Sequence, residues 1–494
     1  MTSDSRGLRL SALQIALLVA ALVACRIAAV PACPTYDDAF ITYRYAENLA
    51  AGHGLVFNPG APWEPVLGTT TLFYALLMAG LAALGCDLVG ASLAVNVACD
   101  VATALLLVRI LDRRPVAASA AVLGLAALPE LARISVGGME SPLFLLAATA
   151  ACAAAAARRT VLSGALCAAT CLVRPEGVLL AGILVLTFAR RPRELVRFVA
   201  PLALVGVVAF VALTSVYGTP IPQSVTAKSA MQGPDPAAER AARLTTILRQ
   251  AFLPRTAYAV CLPFALVGLV RALRAPGAVR SLSLFALAIS ASYLLARPHT
   301  WGWYYYVPLA GLVLWIALGL EAAFTALARR ARPSLAFAVE SFAPQAASVL
   351  VAALAFVAGV RLASPIRARV YEPLWEWAAR TSQAEPTARI LASDIGAIGR
   401  GWRGIVLDSE GLTWPEAVRL RHPLAIIAAE APEYLLVVAE RPRLRHLAQG
   451  PEIMARYEPL ARFNASGATR LDLAPEDVPL EWSQDYLVFR RRRE

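Results

Sequence analysis

Tyr36-Asp37-Asp38-Ala39-Phe40-Ile41-Thr42-Tyr43-Arg44-Tyr45 follows directly on the first long apolar segment, Leu8 to Ala32. Two adjacent carboxylates at the mouth of a membrane helix are costly unless they have a task, so they mark a functional site. The composition makes that first segment a span. The 494-residue chain is 58% hydrophobic and 16% charged, with a mean hydropathy of +0.60. A soluble domain carries about 25% charged residues. The expected fold class is therefore mainly α: a polytopic membrane protein with a small C-terminal extracytoplasmic α/β domain.

The net charge of +12 is nearly all arginine, and Lys228 is the one lysine. Much of this charge falls in short clusters between apolar segments, the pattern of topology signals, so no nucleic-acid partner is expected. The clusters are Arg113/Arg114, Arg158/Arg159, Arg190/Arg191/Arg193/Arg197, Arg271/Arg274/Arg280 and Arg329/Arg330/Arg332. Eight cysteines are spread mostly through apolar runs, and no Cys/His cluster has zinc spacing. Only Cys33 and Cys86 lie where a disulfide outside the bilayer is feasible. Leu22-Val23-Ala24-Cys25 resembles a lipoprotein cleavage box, but Arg26 follows it directly and many spans come after, so an uncleaved first span is expected.

Further apolar segments run over 69–85, 91–111, 115–130, 141–157, 161–174, 177–189, 195–217, 256–273, 281–297, 304–327 and 343–362. Two spans separate each arginine cluster from the next, so all clusters share one face, the cytoplasmic one. Arg6 and Arg9 join them there only if 69–85 does not cross. That segment is short, opens with Thr69-Thr70-Thr71 and contains Tyr74, and is read as an interfacial helix on the outer side. Eleven spans result. The outer face receives 33–90, 131–140, 174–176, 218–255, 298–303 and everything after about 363. The expected division is a transmembrane module, 1–362, with its first outer loop at 33–90, and an extracytoplasmic domain, 363–494. Strand-like runs at 389–393, 404–407, 434–439 and 486–490, with the loop Asp394-Ile395-Gly396-Ala397-Ile398-Gly399, make that domain α/β. The glycine spacing is wrong for a dinucleotide fingerprint.

Nearly every unusual polar residue falls on the outer face: Asp37, Asp38, Arg44, His53, Glu64, Glu140, Arg174, Glu176, Gln223, Lys228, Arg297 and His299. Carboxylates at a helix N-terminus complement its dipole, which is the plainer account of Asp37 and Asp38. Arg44, about two turns on, is placed to hold one of them ionised. Gly52 to Gly60 is a compact loop with glycines and Asn58-Pro59 where turns need them. Glu140 opens a span after Gly137-Gly138-Met139, and Arg174-Pro175-Glu176-Gly177 joins two more. Arg174 needs an anion, which an internal glutamate or a phosphate would supply. Lys228 lies in an ordered-looking loop beginning Tyr217-Gly218-Thr219-Pro220-Ile221-Pro222. Arg297-Pro298-His299-Thr300-Trp301-Gly302-Trp303-Tyr304-Tyr305-Tyr306 reads either as an aromatic belt or as a cationic, aromatic pocket for a phosphate and a sugar. His299 titrates near neutral pH in its unperturbed state.

Asp37-Asp38-Ala39-Phe40-Ile41-Thr42-x-Arg44-Tyr45-Ala46-x-Asn48-Leu49, followed by Gly52-His53-Gly54-Leu55-Val56-Phe57-Asn58-Pro59-Gly60, resembles the GT-C glycosyltransferases. The likeness is to bacterial polyprenyl-phosphate-dependent members: terminal arabinofuranosyltransferases and protein-mannosyltransferase-like proteins. Gly138-Met139-Glu140-Ser141-Pro142-Leu143-Phe144 looks like the family's Gly-Leu-Glu-Thr-x-Leu-Phe. Arg174-Pro175-Glu176-Gly177, Tyr217-Gly218-x-Pro220-x-Pro222 and Asp394 to Gly399 also follow in the family's order. Two positions depart from the pattern: Trp63-Glu64-Pro65-Val66 replaces a Glu-Gly-Tyr-Thr, and Gln223 replaces an asparagine.

The resemblance implies a bacterial plasma-membrane enzyme with its active site on the extracytoplasmic side. It implies transfer of a sugar from a polyprenyl-phosphate carrier to a hydroxyl of a glycan, lipid or protein acceptor, usually with inversion. An aspartate of the first outer loop is the general base, Asp38 or Asp37. The leaving phosphate calls for cations, for which Arg174, Lys228, Arg297 and His299 are candidates, and Arg44, His53, Glu64, Glu140 and Glu176 lie on the substrate side. No cofactor is certain. A divalent cation, Mg or Mn, is open, with Asp37, Asp38 and Glu140 as possible oxygen ligands. A transporter or flippase of lipid-linked glycans is the alternative, but its polar residues should recur near the midplane and in paired halves, and no internal repeat is present.

Overall fold

The computed structural model describes residues 9–33, 35–230, 255–295, 302–328, 345–350, 370–438, 450–464 and 485–492. They are mostly helical and form two compact units. One comprises residues 1–33, 93–207 and 235–363; the other comprises 34–92, 208–234 and 364–494. The first outer loop and the segment after Tyr217 thus group with the C-terminal domain.

The first unit is a helical bundle. Helix α1 (Ala12–Ala29) starts at a capping box: Ser11 Oγ accepts from the Gln14 amide at 3.2 Å, and Gln14 Oε1 accepts from the Ser11 amide at 2.8 Å. The second unit opens with α2 (Asp37–Ala50) and α3 (Leu72–Ala83). Then come α4 (Leu88–Ile110), α5 (Pro115–Ala127), α6 (Pro129–Val136), α7 (Ser141–Ala156), α8 (Thr160–Val173), α9 (Gly177–Phe188), α10 (Pro192–Tyr217), α11 (Gln223–Ala230), α12 (Arg255–Arg274), α13 (Ala278–Leu295) and α14 (Tyr306–Ala328). Among the described residues, five helical stretches are long and apolar enough to cross a membrane: α1, α4, α10, α13 and Gly302–Ala328. The α5–α6 pair, bent by 61°, makes a sixth. Helices α3, α7, α8 and α9 are apolar but shorter. At twelve residues, α3 spans about 18 Å, against a hydrocarbon core of about 30 Å. Of the expected span 343–362, residues 345–350 are described and helical, and the rest lie outside the described residues.

Ion pairs within the first unit join several of the arginine clusters in pairs. Arg9 meets Asp112 at 2.8 Å, beside Arg113 and Arg114. Arg114 and Arg271 both reach Glu321, at 3.8 and 3.9 Å. Arg158 and Arg191 likewise share Glu194, at 3.1 and 3.5 Å. Helices α12 and α14 pack at their glycines: a Cβ on Gly268 would collide with the Trp315 carbonyl, and one on Gly319 with the Phe264 carbonyl. Small residues let apolar helices approach this closely.

Deep in the bundle lies an ion pair that the sequence reading passed over. Arg26, fully buried, donates from Nε to Asp100 Oδ2 at 2.7 Å. Its other nitrogens donate to the carbonyls of Leu125 (3.0 Å) and Ala126 (3.4 Å). A continuous helix would bond the Leu125 carbonyl to the amide of residue 129, but that residue is Pro129 and has none. Arg26 therefore supplies the donor missing at the α5–α6 break. Ser135 and Tyr306 hydroxyls donate to Asp100 at 2.7 and 2.5 Å and complete its shell.

The second unit carries the α/β domain. Its helices are α15 (Glu372–Ala384), α16 (Ile395–Gly401), α17 (Pro415–Leu420), α18 (Pro423–Glu430) and α19 (Pro451–Arg456). Strands β1 (Ile390–Ala392), β2 (Val406–Asp408), β3 (Tyr434–Val438), β4 (Tyr457–Asn464) and β5 (Asp485–Arg491) form one sheet in the order β2-β1-β3-β5-β4. β1 runs parallel to β2 and β3; β5 runs antiparallel to β3 and β4. The sequence reading missed β4. It is an edge strand with an irregularity between Pro459 and Ala461, and a proline is tolerated at such an edge. Ile41, Tyr45 and Phe57 pack with Tyr371, Leu374, Ile398, Trp402 and Tyr434 in one core, so α2 and the loop after it belong to this domain.

Breaking a buried ion pair on one side costs about 3–5 kcal/mol, while replacing both partners by apolar residues is often near neutral. Arg26→Met should therefore lower the melting temperature of the detergent-solubilised protein sharply. Arg26→Met with Asp100→Leu should recover part of the loss; a double variant no better than the single would show that the pair is not what holds the break.

Candidate active site

Asp37 and Asp38 form the first turn of α2, as the sequence indicates. The Asp37 carboxylate accepts two backbone hydrogen bonds from the start of α16: Gly396 N at 3.1 Å and Ala397 N at 2.5 Å. Asp37 thus caps a helix 359 residues further along the chain. Asp394, at the N-cap position of that helix, makes no capping bond with its side chain. It accepts instead from the Tyr486 hydroxyl at 3.0 Å and from Ser393 Oγ at 3.4 Å. Burial and the nearby carboxylates of Asp394 and Asp38 push Asp37 well above the usual carboxylate range, against the lowering effect of the two amides. Two carboxylates pressing on a third, buried one are a standing electrostatic cost, which makes Asp37 a candidate functional group.

Arg44 does not pair with either carboxylate. It donates to the carbonyls of Phe57 (2.7 Å), Gly399 (2.8 Å), Trp402 (2.7 Å) and Gly404 (3.0 Å), and to Asn58 Oδ1 at 3.4 Å. Its role is to pin the first loop to α16 and the turn after it. Glu64 is also turned inward, accepting from the amides of Phe57 (3.1 Å), Asn58 (2.9 Å) and Val66 (2.6 Å). Asn58 donates to the Val406 carbonyl at 2.9 Å and accepts from its amide at 3.0 Å. Gln223 donates from its amide to the Leu67 carbonyl and from Nε2 to that of Gly411, so its segment closes over the same loop. These residues build the frame of the Asp37–Asp38 turn. His53 is exposed in the turn after α2, and Lys228 is half-buried on α11. Arg297 and His299 lie outside the described residues.

Glu140, Arg174 and Glu176 meet in the first unit, at the opposite ends of α7 and α9 from Arg158 and Glu194. Arg174 Nη1 donates to Glu140 Oε1 at 2.7 Å and Nη2 to Glu176 Oε1 at 2.9 Å. The Tyr293 hydroxyl donates to Glu176 Oε1 at 2.8 Å, and the Arg174 guanidinium lies 4.6 Å from the Tyr304 ring centroid. The anion that Arg174 needs is internal. Burial raises Glu140, whereas the Arg174 charge helps bring Glu176 below its usual value despite burial. Glu140 Oε2 is buried with no hydrogen-bond partner.

Tyr293, Tyr486 and Asp394 are absent from the sequence-derived site. Asp394 stood in a recognised motif, but nothing local tied it to Asp37. Among the described residues no three His, Cys, Asp or Glu side chains come together as a metal-holding group. No disulfide joins Cys33 and Cys86.

Asp408, buried at the end of β2, is pushed by burial to about 7, although it accepts amides from Thr413 and Glu410. A carboxyl raised on folding binds more protons in the folded than in the unfolded state over the interval between the two values. Stability therefore falls as pH rises through that interval, from about 4 for an unfolded aspartate. Asp37 acts in the same direction. The melting temperature should fall between pH 5 and pH 8, and Asp37→Asn with Asp408→Asn should flatten the slope. An unchanged slope would place both groups at ordinary values.

No protein-family profile matches the sequence, and no curated protein does. Solved structures do match. ArnT from Cupriavidus metallidurans in the apo state superposes with a TM-score of 0.56 at 12% identity, over 96% of this chain and 97% of that one. The same protein bound to undecaprenyl phosphate gives 0.55 at 13% identity, over 96% and 97%. The arabinofuranosyltransferase AftD from Mycobacteria gives 0.51 at 16% identity, over 99% of this chain but 40% of that one. At these identities the likeness is one of fold: the chain shares the fold of ArnT over nearly its whole length.

Proposed function

We propose that the chain is a GT-C glycosyltransferase that moves a sugar from a polyprenyl-phosphate carrier to an acceptor hydroxyl at the outer face of a bacterial plasma membrane. The observation that carries this reading is the crowding of Asp37, Asp38 and Asp394 around one helix start. The fold supports it, since one protein that shares it binds undecaprenyl phosphate. In the eleven-span topology this turn faces outward.

The chemistry is an inverting displacement. The acceptor oxygen bonds to the anomeric carbon while the bond from that carbon to the phosphate oxygen breaks. The electron pair leaves with the polyprenyl phosphate, and the acceptor proton passes to a carboxylate of the Asp37–Asp38 pair. That carboxylate must come within hydrogen-bond reach of the hydroxyl, directly or through one water. The leaving phosphate needs positive charge more than a proton. Arg174 is already neutralised by two carboxylates, so Lys228, Arg297 and His299 are the cations proposed for that work. Glycan, lipid and protein hydroxyls all remain acceptor classes, and a divalent cation is not required by this scheme.

The test is a radiolabelled-sugar transfer assay in membranes with a panel of polyprenyl-phosphate sugars. Asp37→Asn and Asp38→Asn should each reduce transfer strongly, by about 100-fold or more for the one that takes the proton, with normal membrane insertion. Wild-type turnover in both variants and in the double would remove the base from this turn. Carrier movement without sugar transfer would favour a transporter.

A further inference from the structure

We propose that the C-terminal domain is part of the catalytic apparatus, with Asp394 and the α16 amides acting as positioning groups that fix the Asp37 carboxylate beside Asp38. The inference rests on the glycosyltransferase reading and extends it to a domain with no role so far.

Three observations carry it. First, Asp394 occupies the N-cap position with the residue type best suited to capping, yet its side chain does not cap. The capping bonds come from Asp37 instead. Second, Asp394 is held elsewhere: Tyr486, fully buried on β5, donates to its Oδ2 at 3.0 Å. β5 lies between β3 and β4, so the anchor is built into the interior of the sheet. Third, α16 sits so close to α2 that a Cβ on Gly396 would collide with the Asp37 backbone carbonyl. An ordinary side chain there would push the two helix starts apart and break both amide bonds. The sheet thus holds Asp394, Asp394 leaves the start of α16 open, and that start holds Asp37.

Among the described residues, the charged and titratable groups on the elements packed around Asp37 are these. On α2 they are Asp38, Tyr43, Arg44, Tyr45 and Glu47; the tyrosine hydroxyls donate to Ser92 and to the Val66 carbonyl, Arg44 is spent on carbonyls, and Glu47 lies 3.9 Å from Arg400. The α16 segment brings Asp394 and Arg400, and Arg400 also reaches Asp87 at 3.2 Å. Helix α3 brings Tyr74 and no charge, and α15, packed on α16, brings Glu372, Glu376 and Arg380. Asp394 and Asp38 are the carboxylates that press on Asp37.

The experiment is an infrared titration of the full-length protein in nanodiscs, following the protonated-carboxyl band that Asp37→Asn removes. Asp394→Asn takes away one negative charge and should lower the midpoint of that band by about one pH unit. The acid limb of kcat/KM for sugar transfer should move down with it. Tyr486→Phe keeps the charge but releases the anchor, so it should lower kcat several-fold with KM unchanged. A midpoint within about 0.2 units of wild type in folded Asp394→Asn overturns the proposal, as does an unaltered kcat in Tyr486→Phe if Asp394→Asn does not fold. The infrared arm needs no substrate. A displaced midpoint with no transfer from any carrier sugar would sink the transferase reading and leave the placement of Asp37 standing.

Discussion

Every charge withdrawn from water in this chain must find its counter-group inside the protein, and that requirement shapes both units. Taking an ion out of water costs several kcal/mol unless close, well-directed bonds replace the solvent. The first unit meets it with two clusters, Arg26–Asp100 and Glu140–Arg174–Glu176, each closed by tyrosine hydroxyls. The second meets it with backbone groups. Arg44 is bound chiefly by carbonyls, and Asp37 and Glu64 are bound by amides. Asp37 is the place where the compensation is incomplete, because two further carboxylates stand beside it. Two carboxylates pressing on a third, buried one are what set that turn apart.

Periodicity, charge clusters and turn chemistry made much of this legible from residues alone. Apolar runs placed α4, α5, α7 to α10 and α12 to α14 close to where they lie, whereas α6 fell in a stretch read as an outer connection; the arginine clusters include Arg114 and Arg271, which share Glu321. The glycine-rich loop Gly52 to Gly60 does form tight turns, with positive φ at Gly52, Gly54 and Gly60. Long-range pairings were not legible. Arg44 looked like a partner for the aspartates because it is two turns away on the same helix. Its true partners include carbonyls 355 to 360 positions distant. Nothing in local spacing encodes such a contact. Arg26 was hidden in the same way, since the carbonyls it serves are freed by a proline about a hundred residues later.

Glu64 and Arg174 carry a related lesson. Both are ionisable groups at positions where a family resemblance suggests substrate contact. Glu64 is committed to three amides and Arg174 to two carboxylates. A charged residue beside a site is as often the scaffold of the site as its chemistry, and only the inventory of its bonds separates the two.

The second unit is stitched from three stretches, 34–92, 208–234 and 364–494, and this has a consequence for how the protein is made. The amides that receive Asp37 are translated some 359 residues after it. At a synthesis rate of roughly 10 residues per second, the acidic turn waits about half a minute for its partner helix. During that time the helix α2, with the apolar face of Ile41 and Tyr45, has no domain to pack against. The sheet of this unit cannot close before β5 is made, so a chain cut short of β5 would lack the Tyr486 hydroxyl that anchors Asp394.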